Sequence, residues 1–233
     1  MKYFIHVAVA LTVCFSTALA SAQNKVVVIP LNSSRNVTTC TAPDEVLSAG
    51  NKCWKDRNLG ATQVAMSSTD ALAYGDLYQW GRLGDGHQNR TSPQTGILSA
   101  NDVPGHSSFI TASASPYDDW RNPQNDNLWQ GLGGVNNPCP QGFRLPTAAE
   151  WEIEMVSWDS YDTAGAFASP LKLVPAGYRN DGDGALGNAG SVGYYWSSTV
   201  NGSESRNLRF FSGYTNMYNI NRAYGFSVRC IKD

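Results

Sequence analysis

GYYWSSTVNGSESRNLRFFSGYTNMYNINRAYGFSVRC, residues 193–230, decides the fold. Its first segment alternates as a strand does. Tyr195, Ser197 and Thr199 fall on one face, with Tyr194, Trp196, Ser198 and Val200 on the other. Trp196 reads as core. The next apolar run keeps the same period: Leu208 and Phe210 share a face, while Asn207, Arg209 and Phe211 take the opposite one. Ser212-Gly213 breaks that run. Phe226, Val228 and Cys230 then lie on one face, opposed by Ser227 and Arg229. Short strands between turn residues therefore build this end of the chain.

The pattern assigns Leu208, Phe210, Met217, Phe226 and Val228 to the core. It leaves Phe211, Tyr214, Tyr218, Ile220 and Tyr224 among Asn, Ser, Gly, Thr and Arg neighbours. A segment that polar cannot bury everything, so these side chains are expected at the surface. Tyr and Phe give large contact area at low entropic cost, and Arg adds bidentate and stacking contacts. The segment reads as a binding surface; the competing reading places every ring in the core.

The start of the chain is different. Lys2, an apolar run from Phe4 to Phe15 broken by His6 and Thr12, and Ala20-Ser21-Ala22 make residues 1–22 a signal peptide. Export to the periplasm, the cell surface or the medium is expected. Cys14 follows Val13, which is not small, so it reads as a leader cysteine rather than a lipid anchor. Residues 23–45 hold Val26 to Ile29 and then a polar stretch, a linker with one possible edge strand. Residues 46–233 form one domain. No stretch after the leader is long and apolar enough to span a bilayer. A net charge of −2 makes duplex nucleic acid and anionic membrane poor partners.

After the leader four cysteines remain: Cys40, Cys53, Cys139 and Cys230. An even number in an oxidising compartment implies two disulfides, with three possible connectivities. Cys40–Cys53 with Cys139–Cys230 is preferred. The first closes a short loop, and the second ties the last strand to the middle of the domain. A metal centre is not expected, because there is no Cys-x-x-Cys and only His87 and His106 lie beyond the leader.

One helix is well marked. Pro146 precedes Thr147-Ala148-Ala149-Glu150, the spacing of a capping box, and Trp151, Ile153, Met155, Val156 and Trp158 follow as a broad apolar face. A second short helix is expected over Thr69 to Tyr74. Catalytic constellations are thin. His87 and His106 sit in Gly/Ser-rich loops and read as surface histidines. Glu152 and Glu154 are two apart on a helix and do not face each other. NDGDG at 180–184 has Ala185 where a calcium loop needs oxygen, and the Asp118 to Asn127 segment is richer in oxygens. Turns held by Asx hydrogen bonds are preferred to a structural calcium, and no cofactor is expected.

Five spaced blocks carry a resemblance: CWKDRNLGAT at 53–62, YGDLYQWGR at 74–82, CPQGFRLPTAAEW at 139–151, GYYWSSTV at 193–200 and AYGFSVRCIKD at 223–233. Together they resemble the Fib-succ-major paralogous domain, within the C-type lectin-like superfamily that includes formylglycine-generating-enzyme-like proteins. The resemblance implies a loop-rich α+β fold of small antiparallel sheets with flanking helices. It also implies a last strand pinned by a disulfide, which Cys139 and Cys230 match. Residues 194–233 are similar to the variable region of proteins diversified by diversity-generating retroelements. The Asn background at 201, 207, 216, 219 and 221 suits an adenine-rich template. That likeness implies that Glu204, Arg209, Phe211, Tyr214, Tyr218, Ile220 and Tyr224 vary and bind ligand. The expected function is capture of a protein or glycan on another surface. A structural cell-envelope protein and a formylglycine-generating-type enzyme, which needs a reactive cysteine pair, are the alternatives.

Overall fold

The computed structural model describes residues 38–112 and 118–233. The expected leader and the Val26 to Ile29 edge strand lie outside the described residues. The opening stretch folds as an antiparallel meander of Gly193–Asn201, Glu204–Phe210 and Thr215–Asn221, with Glu204–Phe210 in the middle. Asn201 pairs with Glu204 across a two-residue loop in which Gly202 has φ 59°, the positive φ that such hairpin turns require. Leu208 lies opposite Tyr195 on one side and Met217 on the other. These three and Phe210 form the inner face, buried in one core cluster with Trp151 and Trp158. Gly193 is opposite Phe210, and a Cβ there would stand 2.2 Å from the Phe210 ring, so only glycine lets the ring lie across the strand.

The first meander strand is covered on both faces. Tyr195 points into the cluster just described, whereas Tyr194 and Trp196 join Tyr78, Phe226, Val228 and Cys230 in a second one. Trp196 is fully buried and donates its indole N–H to the Tyr78 carbonyl at 2.7 Å. The alternation of the sequence thus separates two cores rather than core from water.

Helix α1, Ala148–Val156, lies against this meander. Both halves of its capping box form: the Glu150 amide donates to Thr147 Oγ1 at 3.2 Å, and the Thr147 amide donates to Glu150 Oε2 at 2.8 Å. Arg144 binds both oxygens of Glu150 at 2.8 Å and reaches Asp233 at 2.7 Å, fastening the helix start to the chain end. The buried face is narrower than the sequence suggested. Trp151, Met155 and Trp158 are buried at i, i+4, i+7, but Ile153 and Val156 are exposed. Glu154 takes a buried position instead, accepting from Trp158 Nε1 at 3.3 Å, and burial raises its pKa. A second helix, α2, covers Thr163–Ala168, capped by Asp162, and was not anticipated. The helix expected over Thr69 to Tyr74 is a single 3-10 turn, Ala71–Ala73, which Asp70 caps.

Three further small sheets surround this unit. One joins Glu45–Leu47, Cys53–Lys55, Ile231–Lys232 and Phe143–Arg144 in that order. Another joins Tyr78–Gln79, Gly225–Phe226, Tyr178–Arg179 and Leu186–Gly187. Gln94–Thr95 and Phe109–Ile110 pair in parallel. The disulfides are Cys40–Cys53 and Cys139–Cys230, with Cα separations of 5.5 and 5.8 Å. The architecture is a sheet-rich α+β domain of small, mostly antiparallel sheets, with two α-helices among the described residues. No helix among them is long and apolar enough to cross a membrane.

His87 departs from expectation: it is fully buried, whereas His106 is exposed. Its Nε2 accepts from the Gln79 amide at 3.1 Å, and its Nδ1 lies 2.7 Å from Asp85 Oδ1. Nδ1 therefore carries the proton of a neutral ring. Burial pushes its pKa from 6.5 down to about 4, against the pull of Asp85. The unfolded chain takes up this proton first, so stability is full above pH 6.5 and falls as pH drops through about 4. The stability that wild type holds over His87→Gln is expected to shrink by about 3 kcal/mol between pH 7 and pH 4. Urea unfolding at the two pH values measures it; a pH-independent difference would contradict a neutral buried imidazole. Asp119 acts in the opposite sense. Burial lifts its pKa from 3.8 to about 6, so its contribution is lost as pH rises through 6. Comparing wild type with His87→Gln cancels the Asp119 contribution, which both proteins share.

Candidate functional site: an aromatic cleft on the meander

The outer face of the meander carries a cleft of about 200 Å³. Strand alternation builds its floor. Asn207 lies between Trp196 and Tyr218, and Arg209 lies between Tyr194 and Asn216, all on the face opposite Leu208. Ile220 continues that face on the third strand. The wall comes from elsewhere in the chain: Tyr178, Asn188, Tyr224 and Phe226. Tyr178 meets Tyr194 and Tyr224 edge-on, with ring centroids 5.5 and 5.8 Å apart, and Tyr194 stacks on Phe226 at 4.8 Å. These contacts fix the rings of the wall. Asn188 Nδ2 donates to the Tyr194 hydroxyl at 3.3 Å.

Arg209 is enclosed by rings, its Cζ lying 5.7 Å from Tyr194, 5.5 Å from Phe211 and 5.3 Å from Tyr218. Phe211 meets Tyr214 edge-on at 4.6 Å, and the Tyr214 hydroxyl contacts that of Tyr218. Tyr224 is pushed up to about 12 by burial, with Asp181 beside it adding to the effect, so its phenol stays protonated. The Asp181 carboxylate also accepts from Asn221 Nδ2 at 3.0 Å.

Of the residues singled out in the sequence, Arg209, Tyr218, Ile220 and Tyr224 line the cleft, and Phe211 and Tyr214 continue it through their ring contacts. Glu204 stands apart. It opens the middle strand, pairs with Asn201 and Asn221, and shares the face of Leu208. The expected surface exposure is only partial. Tyr214 is 37% exposed, but Phe211, Tyr218, Ile220 and Tyr224 are half-buried; Ile220 and Tyr224 pack against the cluster of Tyr194 and Phe226, and Phe211 and Tyr218 against Arg209 and Tyr214. Sequence reading missed Tyr178 and Asn188. Each lies outside the periodic C-terminal stretch, and only the pairing of Gly225–Phe226 with Tyr178–Arg179 brings that region over.

The oxygen-rich segments are occupied internally. Asn180 Oδ1 accepts from the Gly182 and Asp183 amides, making 180–184 an Asx-held turn. Asp126 pairs with Arg222 at 2.7 Å, and Asp119 accepts from the Arg121 amide and Gln124. All four described cysteines are in disulfides.

Fold and cleft define a disulfide-pinned, sheet-rich domain that presents a half-buried aromatic pocket. Comparisons with protein-family models, with curated proteins and with solved structures returned no match to this chain.

Proposed function

We propose that this chain is an exported C-type lectin-like domain of the Fib-succ-major type that captures a protein or glycan on another surface through the aromatic cleft. The observation that carries the reading is the division of one strand: Leu208 and Phe210 are sealed in the core, while Arg209 between them lines a cleft walled by rings. Rings and arginine on a rigid sheet are the composition of binding hot spots. The Cys139–Cys230 bond and the capped α1 hold the frame behind them. Commitment of the four cysteines to disulfides supports binding over chemistry that needs a reactive cysteine pair. In this proposal Arg209, Phe211, Tyr214, Tyr218, Ile220 and Tyr224 are positions a retroelement diversifies. A near-identical copy of the coding segment beside a reverse transcriptase gene is the expected genomic signature, and a genome with neither removes this part.

The binding test uses Phe211→Ser/Tyr214→Ser, which spares the more deeply packed Tyr224. The melting temperature is expected to stay within about 3 °C of wild type, since neither ring sits in a core cluster. Capture on a glycan and surface-protein array is expected to fall about tenfold or more. A variant that melts far lower and binds equally well would make these rings structural.

A further inference from the structure

Arg209 stands out among the arginines. Arg57, Arg82, Arg121, Arg144, Arg206 and Arg222 each pair with an acid. Arg90, Arg179 and Arg229 donate to backbone carbonyls. Among the described residues Arg209 is the arginine whose side chain makes neither an ion pair nor a hydrogen bond; its Nε is buried without a partner, and three rings surround its guanidinium. Directly beside it, Asn207 is 1% exposed, lines the same cleft, and keeps a buried Oδ1 that no donor reaches. A half-buried cation without an anion is an unusual arrangement, because partial desolvation costs free energy that an opposite charge would offset.

We infer that the cleft takes a single carboxylate-bearing sugar residue of an acidic glycan, with the carboxylate on the Arg209 guanidinium. This rests on the binding role proposed for the cleft and names its ligand class. The guanidinium fork matches a planar carboxylate in a two-bond geometry. Among the described residues no second cation lines the cleft, so one fork faces one singly charged group, whereas a dianionic phosphate calls for more donors. The remaining walls are ring faces and amides. A pyranose has C–H groups on its faces, which suit the negative faces of aromatic rings, and hydroxyls at its rim, which suit Asn188 and the tyrosine hydroxyls. The volume of about 200 Å³ lies below that of drug-sized sites and fits one ring-sized residue. An acidic side chain would satisfy Arg209 but leave the ring walls without a partner.

Isothermal titration with the mature protein tests this, using trigalacturonate, unsulfated chondroitin tetrasaccharide and sialyllactose, each beside its methyl ester, and a penta-glutamate peptide. The ester keeps the shape and removes the charge. At least one free acid is expected to bind about tenfold more tightly than its ester, with Arg209→Gln abolishing that difference. Arg209→Lys, which keeps the charge and loses the fork, is expected to fall between them. The acid-to-ester ratio in wild type decides the matter even if a variant folds poorly. Equal binding of acid and ester, preference for the peptide, an Arg209→Gln protein that still discriminates, or no binding of any sugar overturns the inference. In each of those cases, loss of array capture in Phe211→Ser/Tyr214→Ser still upholds the cleft as a binding site, so the two readings fail separately.

Discussion

Cys139→Ser/Cys230→Ser is expected to lower the unfolding free energy by about 4 kcal/mol, close to the whole stability of many domains. The bond joins residues 91 apart in sequence, so its removal frees a long loop in the unfolded chain. The native side is affected as well. Cys230 is 1% exposed in the cluster of Trp196, Phe226 and Val228, and the residue after it, Ile231, pairs with both Trp54 and Arg144. In a domain of this size the loss corresponds to a fall in melting temperature of about 10 °C. Cys40→Ser/Cys53→Ser is expected to cost less, about 3 kcal/mol, because its closed loop spans 13 residues. Urea unfolding of both double variants measures the order. If the variant lacking the Cys139–Cys230 bond proves the more stable of the two, loop closure does not govern what each disulfide contributes.

Arg229→Ala should be comparably damaging, about 3–5 kcal/mol. The side chain is 2% exposed and has no carboxylate bonded to it. Instead Nε and Nη2 donate to Asn58 Oδ1 at 3.2 and 2.8 Å, and Nη1 donates to the Leu171 carbonyl at 2.7 Å. Asn58 in turn donates to the Tyr74 carbonyl and the Tyr195 hydroxyl, both at 3.1 Å. One guanidinium thereby links the last strand region, the loop after Cys53–Lys55, the segment following α2 and the first meander strand. Burial presses its pKa down to about 10, which is still well above neutrality, so it remains charged. Alanine would leave two buried acceptors without donors and a cavity besides. Arg229→Met fills the volume but not the hydrogen bonds, and is expected to recover only part of the loss. A cost below about 1 kcal/mol for the alanine variant, read by denaturant unfolding, would show that these hydrogen bonds do not hold the frame.

Binding and stability are thus expected to separate along a single stretch of chain. In the proposed reading Arg209 and its ring neighbours carry ligand capture, and changing them is expected to leave the frame standing. Arg229, twenty residues on, belongs to the same arginine-rich segment and is wholly structural. Composition makes the two arginines look alike; only the partners of each guanidinium tell them apart.

Much of the frame was legible because it depends on local rules. The capping box at Thr147 and Glu150 is a matter of spacing within one turn. The burial of Leu208, Phe210, Phe226 and Val228 follows from a period of two. The turn at 180–184 follows from Asn180 and its glycines. Where local rules misled, the satisfaction of polar groups or the packing of a helix face decided instead. His87 looked like a loop histidine and is buried because Gln79 and Asp85 satisfy both ring nitrogens. Ile153 looked like core and is exposed, because Trp151, Met155 and Trp158 already fill the face of α1 that meets the meander.

By itself the sequence determined a strand-rich, twice cross-linked domain and the strand face that carries Asn207 and Arg209, since alternation and cysteine chemistry need no knowledge of distant residues. Tertiary structure alone decided that this face is a cleft. Tyr178, Asn188 and Phe226 reach it from separate parts of the chain, and a concave wall exists only where such segments are packed side by side.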